Sequence, residues 1–172
     1  MPLPPHDLTN KDKIYKIESF VLHKKQWDSL DNELLQKLPQ PVGIKFDENI
    51  RDNLGDLKNR KGIYIFFLEP VWNFKPSARY LLYVGRVFKK NTFFKRFYEY
   101  VNALTDVNTR HNIKLLTNLW PDKTLVYFYD LDLSDNEIAK IEKEIYDKII
   151  PPFNNQFSAS ATAAKNARSI YA

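Results

Sequence analysis

The sequence contains no cysteine, only four glycines in 172 residues, and three histidines that lie far apart. Without cysteine there is no disulfide framework, no thiolate nucleophile and no cysteine-ligated zinc or iron–sulfur site. His6, His23 and His111 form no HExxH pattern, and the glycines form neither a GxGxxG motif nor a P-loop. Several metalloenzyme, redox and nucleotide-binding classes are therefore excluded.

Long apolar segments are also missing from the sequence. No run approaches the roughly 20 residues that span a bilayer, and residues 1–13 are polar and proline-rich without an apolar signal region. We therefore predict an intracellular protein without membrane contact, located in the cytoplasm or nucleoid or, in a eukaryote, in the nucleus. The length suits one domain, and 44% hydrophobic residues suffice for a core.

Positive charge and aromatic residues are concentrated in one stretch. The net charge of +5 permits nucleic-acid binding without indicating it. Residues 86–100, however, contain five positive, one negative and six aromatic residues. Residues 130–147 have the opposite character, with seven acidic residues against Lys140 and Lys143. From charge alone, both stretches could equally be solvated faces.

The pattern of the chain predicts four segments. They are a flexible arm at 1–13, an N-terminal extension packed on the core at 14–60, a core at 61–155 and a tail at 156–172. Within the extension we expect a strand at 14–22, an amphipathic helix at 27–38 and a short strand at 42–46, followed by a polar connection. No internal repeat is present.

The core segment predicts a small α/β (α+β) fold. β-Branched and aromatic runs indicate strands at 62–68, 80–87 and 125–131. Helices are expected at 92–104, where Thr92 can act as N-cap, at about 113–120, and at 134–150, where Ser134 and Glu137 form a capping box. The predicted order is β-β-α-α-β-α, with helices flanking a three-stranded sheet.

Glu142 stands out because it falls on the apolar side of the last predicted helix. At 100° per residue the isoleucines align in one stripe, formed by Ile138, Ile141, Ile145 and Ile149. Glu142 lies four residues after Ile138 and three before Ile145. A carboxylate facing a core is costly unless it is paired, hydrogen-bonded or bound to a metal. It could therefore be an edge residue that pairs with an arginine, or a metal ligand or general base.

Arg96 has a similar position on the helix at 92–104. The apolar face of that helix contains Phe93, Phe97, Tyr100 and Leu104, and Arg96 flanks it one turn before Tyr100. A planar, permanently charged guanidinium suits phosphate recognition. The structural alternative is an arginine whose stem packs on the core while its head stays in water.

Two tripeptides carry a resemblance to a known family. Gly62-Ile63-Tyr64 and Tyr83-Val84-Gly85 are similar to the paired signature of the GIY-YIG nuclease superfamily, with valine in place of isoleucine in the second. The resemblance covers residues 61–155. It implies the superfamily's core fold in the β-β-α-α-β-α order.

Further residues follow in the order of that family. Arg96 lies where the family has its phosphate-binding arginine, and Tyr100 lies where members have histidine or tyrosine. Glu142 precedes Pro151 by nine residues and Asn154 by twelve, which resembles the glutamate-to-proline-to-asparagine ending of the family. Glu144 is a competing choice that fits this spacing less well.

The resemblance implies a metal-dependent endonuclease that hydrolyses phosphodiester bonds in DNA. Glu142 would be the single protein ligand of one Mg²⁺ or Mn²⁺ ion, and Tyr64 would act as general base or orient the attacking water. Arg96 would bind the scissile phosphate, and Tyr83 and Tyr100 would hydrogen-bond phosphate or water. Asn154 would hold the site together.

The expected partner is double-stranded DNA rather than RNA. A homodimer is compatible with this expectation. Arg86, Lys89, Lys90 and Lys95 are the expected additional phosphate contacts. Gly62 and Gly85 are the motif glycines, and strand packing is the structural alternative for Tyr64 and Tyr83. Two other functions remain open: a nucleic-acid-binding module whose catalytic set has decayed, and a domain whose aromatic helix binds protein.

Overall fold

The computed structural model describes residues 38–69, 79–88, 91–106, 111–120, 123–149, 151 and 153–154. Several predicted segments lie outside these residues. They are the arm, the strand at 14–22, the tail, and the helix at 27–38 except for its last residue. Lys89 and Lys90 also lie outside them.

A four-stranded antiparallel sheet forms the centre of the protein. Its strands are β1 (Val42–Lys45), β2 (Gly62–Leu68), β3 (Tyr80–Val87) and β4 (Thr124–Asp130), in the spatial order β1-β4-β2-β3. The predicted α+β class is confirmed, but the prediction of three strands is wrong. Val42 pairs with Phe128 of β4, so the short strand assigned to the extension is an edge strand of the same sheet.

Among the described residues, three α-helices and one 3₁₀ segment surround this sheet. The helices are α1 (Phe93–Asn102), α2 (His111–Asn118) and α3 (Asp135–Ile149), and the 3₁₀ segment is Asp52–Asn59. From Gly62 onward the described elements follow one another as β-β-α-α-β-α. No helix in the described part of the chain is long and apolar enough to cross a bilayer.

Both predicted helix starts are confirmed by their hydrogen bonds. The Thr92 side chain accepts from the backbone nitrogen of Lys95 at 3.3 Å, at the start of α1. At the start of α3 the Ser134 nitrogen donates to the Glu137 carboxylate at 2.9 Å, and the Glu137 nitrogen donates to Ser134 Oγ at 3.3 Å. These bonds satisfy amide groups that have no partner within the helix.

The two faces of the sheet bury separate apolar clusters because successive strand residues point in opposite directions. On one face, Tyr64 and Phe66 pack against Phe97 of α1. On the other face, Ile63 and Ile65 belong to a cluster that includes Ile138 and Ile145 of α3. Helices therefore lie on both sides of β2, and the functional residues converge near its N-terminal half.

Candidate active site in a cleft beside the sheet

A cleft of about 820 Å³ brings together residues that are distant in the sequence. Strands β2 and β3, helix α1 and helix α3 all contribute to its lining. Six of the residues singled out in the sequence line the cleft: Tyr64, Tyr83, Arg86, Arg96, Glu142 and Asn154. Tyr100 does not line it, and Lys95 is exposed on α1 outside it.

The two motif glycines are required by close contacts. Tyr64 and Gly85 are direct partners across β2 and β3, and a Cβ atom on residue 85 would lie 2.3 Å from Tyr64 Oη. Gly62 has a φ of 146°, and a Cβ atom there would lie 2.0 Å from the Tyr129 carbonyl oxygen. A side chain at either position would displace a neighbour.

The Tyr64 hydroxyl lies just beneath the floor of the cleft. Tyr64 has no exposed surface, and its Oη accepts a hydrogen bond from Arg96 Nε at 3.0 Å. Arg96 is 22% exposed, so it is the more accessible partner of this hydrogen bond.

Tyr64 and Tyr100 share one hydrogen bond between two phenol groups. Their Oη atoms are 2.9 Å apart, and both side chains are buried. Tyr64 lines the cleft and Tyr100 does not, so an acceptor in the cleft can reach the proton of Tyr64 more readily than that of Tyr100. We therefore assign Tyr100 as the donor. Tyr100 contacts three residues that line the cleft, namely Tyr64, Tyr83 and Arg96.

Burial makes both phenols weaker acids than usual. It raises the pKa of Tyr64 well above its ordinary value of 10, and the nearby Tyr83 adds to the shift. Arg96 and the hydrogen bond from Tyr100 lower the pKa of Tyr64 but do not offset the burial. Burial likewise raises the pKa of Tyr100. Tyr64 is consequently protonated at neutral pH.

Glu142 forms an ion pair with Arg86. Glu142 Oε2 lies 3.0 Å from Arg86 Nη1, and the side chains are 18% and 31% exposed. Burial raises the pKa of Glu142 above its ordinary value of 4.5, while Arg86 and Arg96 act in the opposite direction. The structural alternative expected for Glu142 was pairing with an arginine, and this pairing is observed. The same carboxylate also faces the cleft.

Arg96 is likewise held by partners within the chain. Besides Tyr64 it contacts the Glu99 carboxylate, one turn further along α1, and its guanidinium lies 5.4 Å from the ring centroid of Tyr100. These contacts orient the guanidinium at the edge of the cleft. They also mean that a phosphate would compete with Glu99 for its N–H groups.

Asn154 binds the backbone of the second motif. Its Oδ1 accepts from the Val84 nitrogen at 2.9 Å, and its Nδ2 donates to the Val84 carbonyl at 2.6 Å. The amide thus pairs with Val84 as a neighbouring strand would. These two bonds fix the backbone of Val84, between Tyr83 and Gly85 of the second motif.

Four polar residues of the cleft lining are absent from the predictions made from the sequence. Asn91 precedes α1, and Asn136, Lys140 and Lys143 lie on α3. The three residues of α3 are spaced by four and three positions, which places them on one face of the helix. Charge alone left a solvated face and a functional face equally open for this acidic stretch, so the sequence did not single out these residues.

A resident divalent ion would have one carboxylate of this chain as its ligand. Among the described residues, no group of three or more histidine, aspartate or glutamate side chains lies together. Mg²⁺ usually keeps several waters and binds through one or two carboxylates together with substrate phosphates. Glu142 fits such an ion when a phosphate accompanies it, but does not by itself form a complete site.

No family model, no curated protein and no solved structure matches the chain. The resemblance to the GIY-YIG superfamily therefore depends on the motif residues and their order. Several of these residues also line one cleft, which is an observation separate from their order in the sequence.

Proposed function

We propose that this protein is a metal-dependent endonuclease that hydrolyses phosphodiester bonds in DNA. The observation that carries the proposal is the convergence of Tyr64, Arg96 and Glu142 on one cleft from three different elements. Phosphodiester hydrolysis requires a positioned water, neutralisation of phosphate charge and assistance to the leaving oxygen. Residues able to take part in each of these tasks border this cleft.

Arg96 and Arg86 are the proposed phosphate-binding groups. Both guanidinium groups border the cleft, and both pair with carboxylates that a bound phosphate can replace. A phosphate bound to Arg96 would lie near the Tyr64 hydroxyl, because Arg96 Nε is 3.0 Å from Tyr64 Oη. Phosphate binding to Arg86 leaves Glu142 available for the ion.

Tyr64 is better suited to orient the attacking water than to remove its proton. The raised pKa keeps the phenol protonated at neutral pH, and a protonated phenol can donate and accept hydrogen bonds. Deprotonation would need the additional positive charge of a bound ion. When bound through Glu142, Mg²⁺ or Mn²⁺ would lower the pKa of a bound water and stabilise charge on the phosphate.

The decisive experiment measures cleavage of supercoiled plasmid DNA with Mg²⁺, with EDTA as the metal-free control. We expect the wild type to form open-circular or linear DNA, Glu142→Gln to lose cleavage, and Glu144→Gln on the same helix to keep it. Thermal unfolding and DNA binding establish that the first variant is folded. Cleavage by Glu142→Gln at the wild-type rate would refute the site assignment.

The Arg86–Glu142 ion pair favours one second candidate, a DNA-binding module without catalysis. In that case the carboxylate orients Arg86 toward phosphate and holds no ion. DNA binding would then occur in EDTA, no cleavage would follow, and Glu142→Gln would weaken binding by releasing Arg86. Endonuclease activity instead requires that Glu142→Gln retains DNA binding.

Protein binding through the aromatic helix is disfavoured by burial. Phe93, Phe97 and Tyr100 have no exposed surface and form the contact of α1 with the sheet. Tyr98 is the exposed aromatic residue of α1, at 53%. Its ring lies 4.8 Å from the Arg51 guanidinium. Most of the aromatic residues of this helix are therefore core residues.

A further inference from the structure

The polar lining of the cleft carries mostly positive charge. Four cationic side chains line the cleft against one carboxylate, that of Glu142. Arg86 and Arg96 come from β3 and α1, whereas Lys140 and Lys143 come from α3. The cations of α3 belong to a segment of the sequence that is acidic overall.

The acidic residues near the start of α3 are engaged with groups elsewhere. The Asp135 carboxylate lies 3.7 Å from Lys61 Nζ, and Glu137 is bound by the Ser134 backbone and side chain at the helix N-terminus. Neither residue lines the cleft. Glu142 is paired with Arg86. The cleft is therefore positive overall, although Glu142 and Glu99 partly neutralise its two arginines.

Asn136, Lys140 and Lys143 form a stripe along the helix. Residues three and four positions apart are neighbours on a helix surface. The stripe covers seven residue steps, about 10 Å along the axis. One strand of B-form DNA rises about 3.4 Å per phosphate, so the stripe matches the rise of about three nucleotides.

The size of the cleft limits what can enter it. Its volume of about 820 Å³ is that of a pocket for a small molecule. A short stretch of one backbone strand fits this volume, whereas a whole duplex does not. The strand that carries the scissile phosphate would thus be in reach of both the arginines and the lysine stripe.

We propose that Lys140 and Lys143 form a second phosphate-binding wall, which contacts phosphates flanking the scissile one on the same DNA strand. This proposal rests on the proposed function, because it names the strand that the same cleft binds. Phosphate contacts of this kind fix the register of the strand without reading its bases.

The test measures the salt dependence of DNA binding in EDTA, so that no cleavage occurs. Fluorescently labelled duplex and single-stranded oligonucleotides are titrated at several salt concentrations with the wild type and with Lys140→Gln/Lys143→Gln. The control is Lys45→Gln/Lys123→Gln, which removes the same two charges outside the cleft. Each phosphate contact contributes about 0.9 to the slope of log K against log salt for duplex and about 0.7 for single strands.

We expect the slope of Lys140→Gln/Lys143→Gln to fall by about 1.8 for duplex and about 1.4 for single strands, with no change in the control. An unchanged slope in a protein that binds DNA would overturn the second wall. A fall seen with duplex but not with single strands would overturn the assignment to the same strand. Failure of the wild type to bind DNA would instead overturn the proposed function.

Discussion

Tyr64 and Gly85 lie opposite each other in β2 and β3, and the phenol ring of Tyr64 occupies the space that a side chain at residue 85 would need. A Cβ atom there would come within 2.3 Å of both Tyr64 Cζ and Tyr64 Oη. The two halves of the sequence motif are therefore coupled sterically, because the tyrosine of the first requires the glycine of the second.

This coupling predicts that Gly85→Ala destabilises the protein by about 1–3 kcal/mol through overpacking. The same substitution in a Tyr64→Ala background should cost much less, since the clashing atoms are gone. Chemical unfolding of the two single variants and the double variant measures the interaction. Additive effects in the double-mutant cycle would show that the ring is not the obstacle.

Removal of Arg86 should make stability depend more strongly on pH. Arg86→Gln leaves the Glu142 carboxylate half-buried without its ion partner, so the pKa of Glu142 rises further. A carboxyl whose pKa is raised in the folded protein favours folding at low pH and loses that contribution as pH rises past its ordinary value of 4.5. The pH-dependent loss should reach about 1–2 kcal/mol at pH 7.

Denaturant unfolding of wild type and Arg86→Gln at pH 4 and pH 7 measures this difference. Glu142→Gln combined with Arg86→Gln serves as the control, because no charge then remains at the pair. The double variant should lose the extra pH dependence. If the stability of Arg86→Gln followed the wild type at both pH values, the ion pair would contribute nothing in solution.

The hydrogen bond from Tyr100 to Tyr64 should affect catalysis through Tyr64 alone. Tyr100→Phe retains the buried ring but removes the donor, and the pKa of Tyr64 then rises because this bond lowers it. If Tyr64 loses its proton during cleavage, the rise of rate with pH should move to higher pH. The cost in stability should be about 1 kcal/mol.

Tyr98→Phe is the matched control for Tyr100→Phe, because Tyr98 is on the same helix and 53% exposed. Its pH–rate profile should equal that of the wild type. A profile of Tyr100→Phe that also equals the wild type would favour Tyr64 as a group that orients water and keeps its proton.

Asn154→Asp should be destabilised in a pH-dependent way. The substitution replaces the Nδ2 donor with a carboxylate oxygen facing the Val84 carbonyl, now 2.6 Å from Nδ2. The pKa of the new carboxyl should be raised, so that stability is lost as pH rises above the ordinary aspartate value of about 4 and recovered under acid conditions. Thermal unfolding across pH measures this, and Asn154→Ala should lack the pH dependence.

Local patterns in the sequence predict most of the described elements. Neighbours only a few residues away are enough to predict the strand at Gly62–Leu68 and the helix starts at Thr92 and Ser134. The place of Val42–Lys45 in the sheet does not depend on such local neighbours, because its pairing with β4 joins residues about 80 positions apart. A strand can thus be predicted there without its place in the sheet.

The site shows the same division between local and long-range information. The motif residues and the off-pattern Glu142 and Arg96 are visible in the sequence. The partners that determine the chemistry of these residues are not visible in the sequence. Arg86 contacts Glu142, and Tyr100 contacts Tyr64, only in the folded protein. The cleft-facing position of Lys140 and Lys143 depends on which side of α3 the sheet covers. The isoleucine stripe indicates the side of α3 that packs on the sheet, but it does not indicate which of the remaining faces borders the cleft.

The attachment of residues 153–154 to β3 has a consequence for self-association. β3 is at the edge of the sheet, and an open edge offers unpaired backbone groups to a strand from another molecule. The Asn154 amide occupies the Val84 groups, and the Phe153 nitrogen binds the Leu82 carbonyl at 3.1 Å. The contacts that fix the backbone of Val84 beside the cleft therefore also cover residues 82–84 of this edge against pairing with another strand.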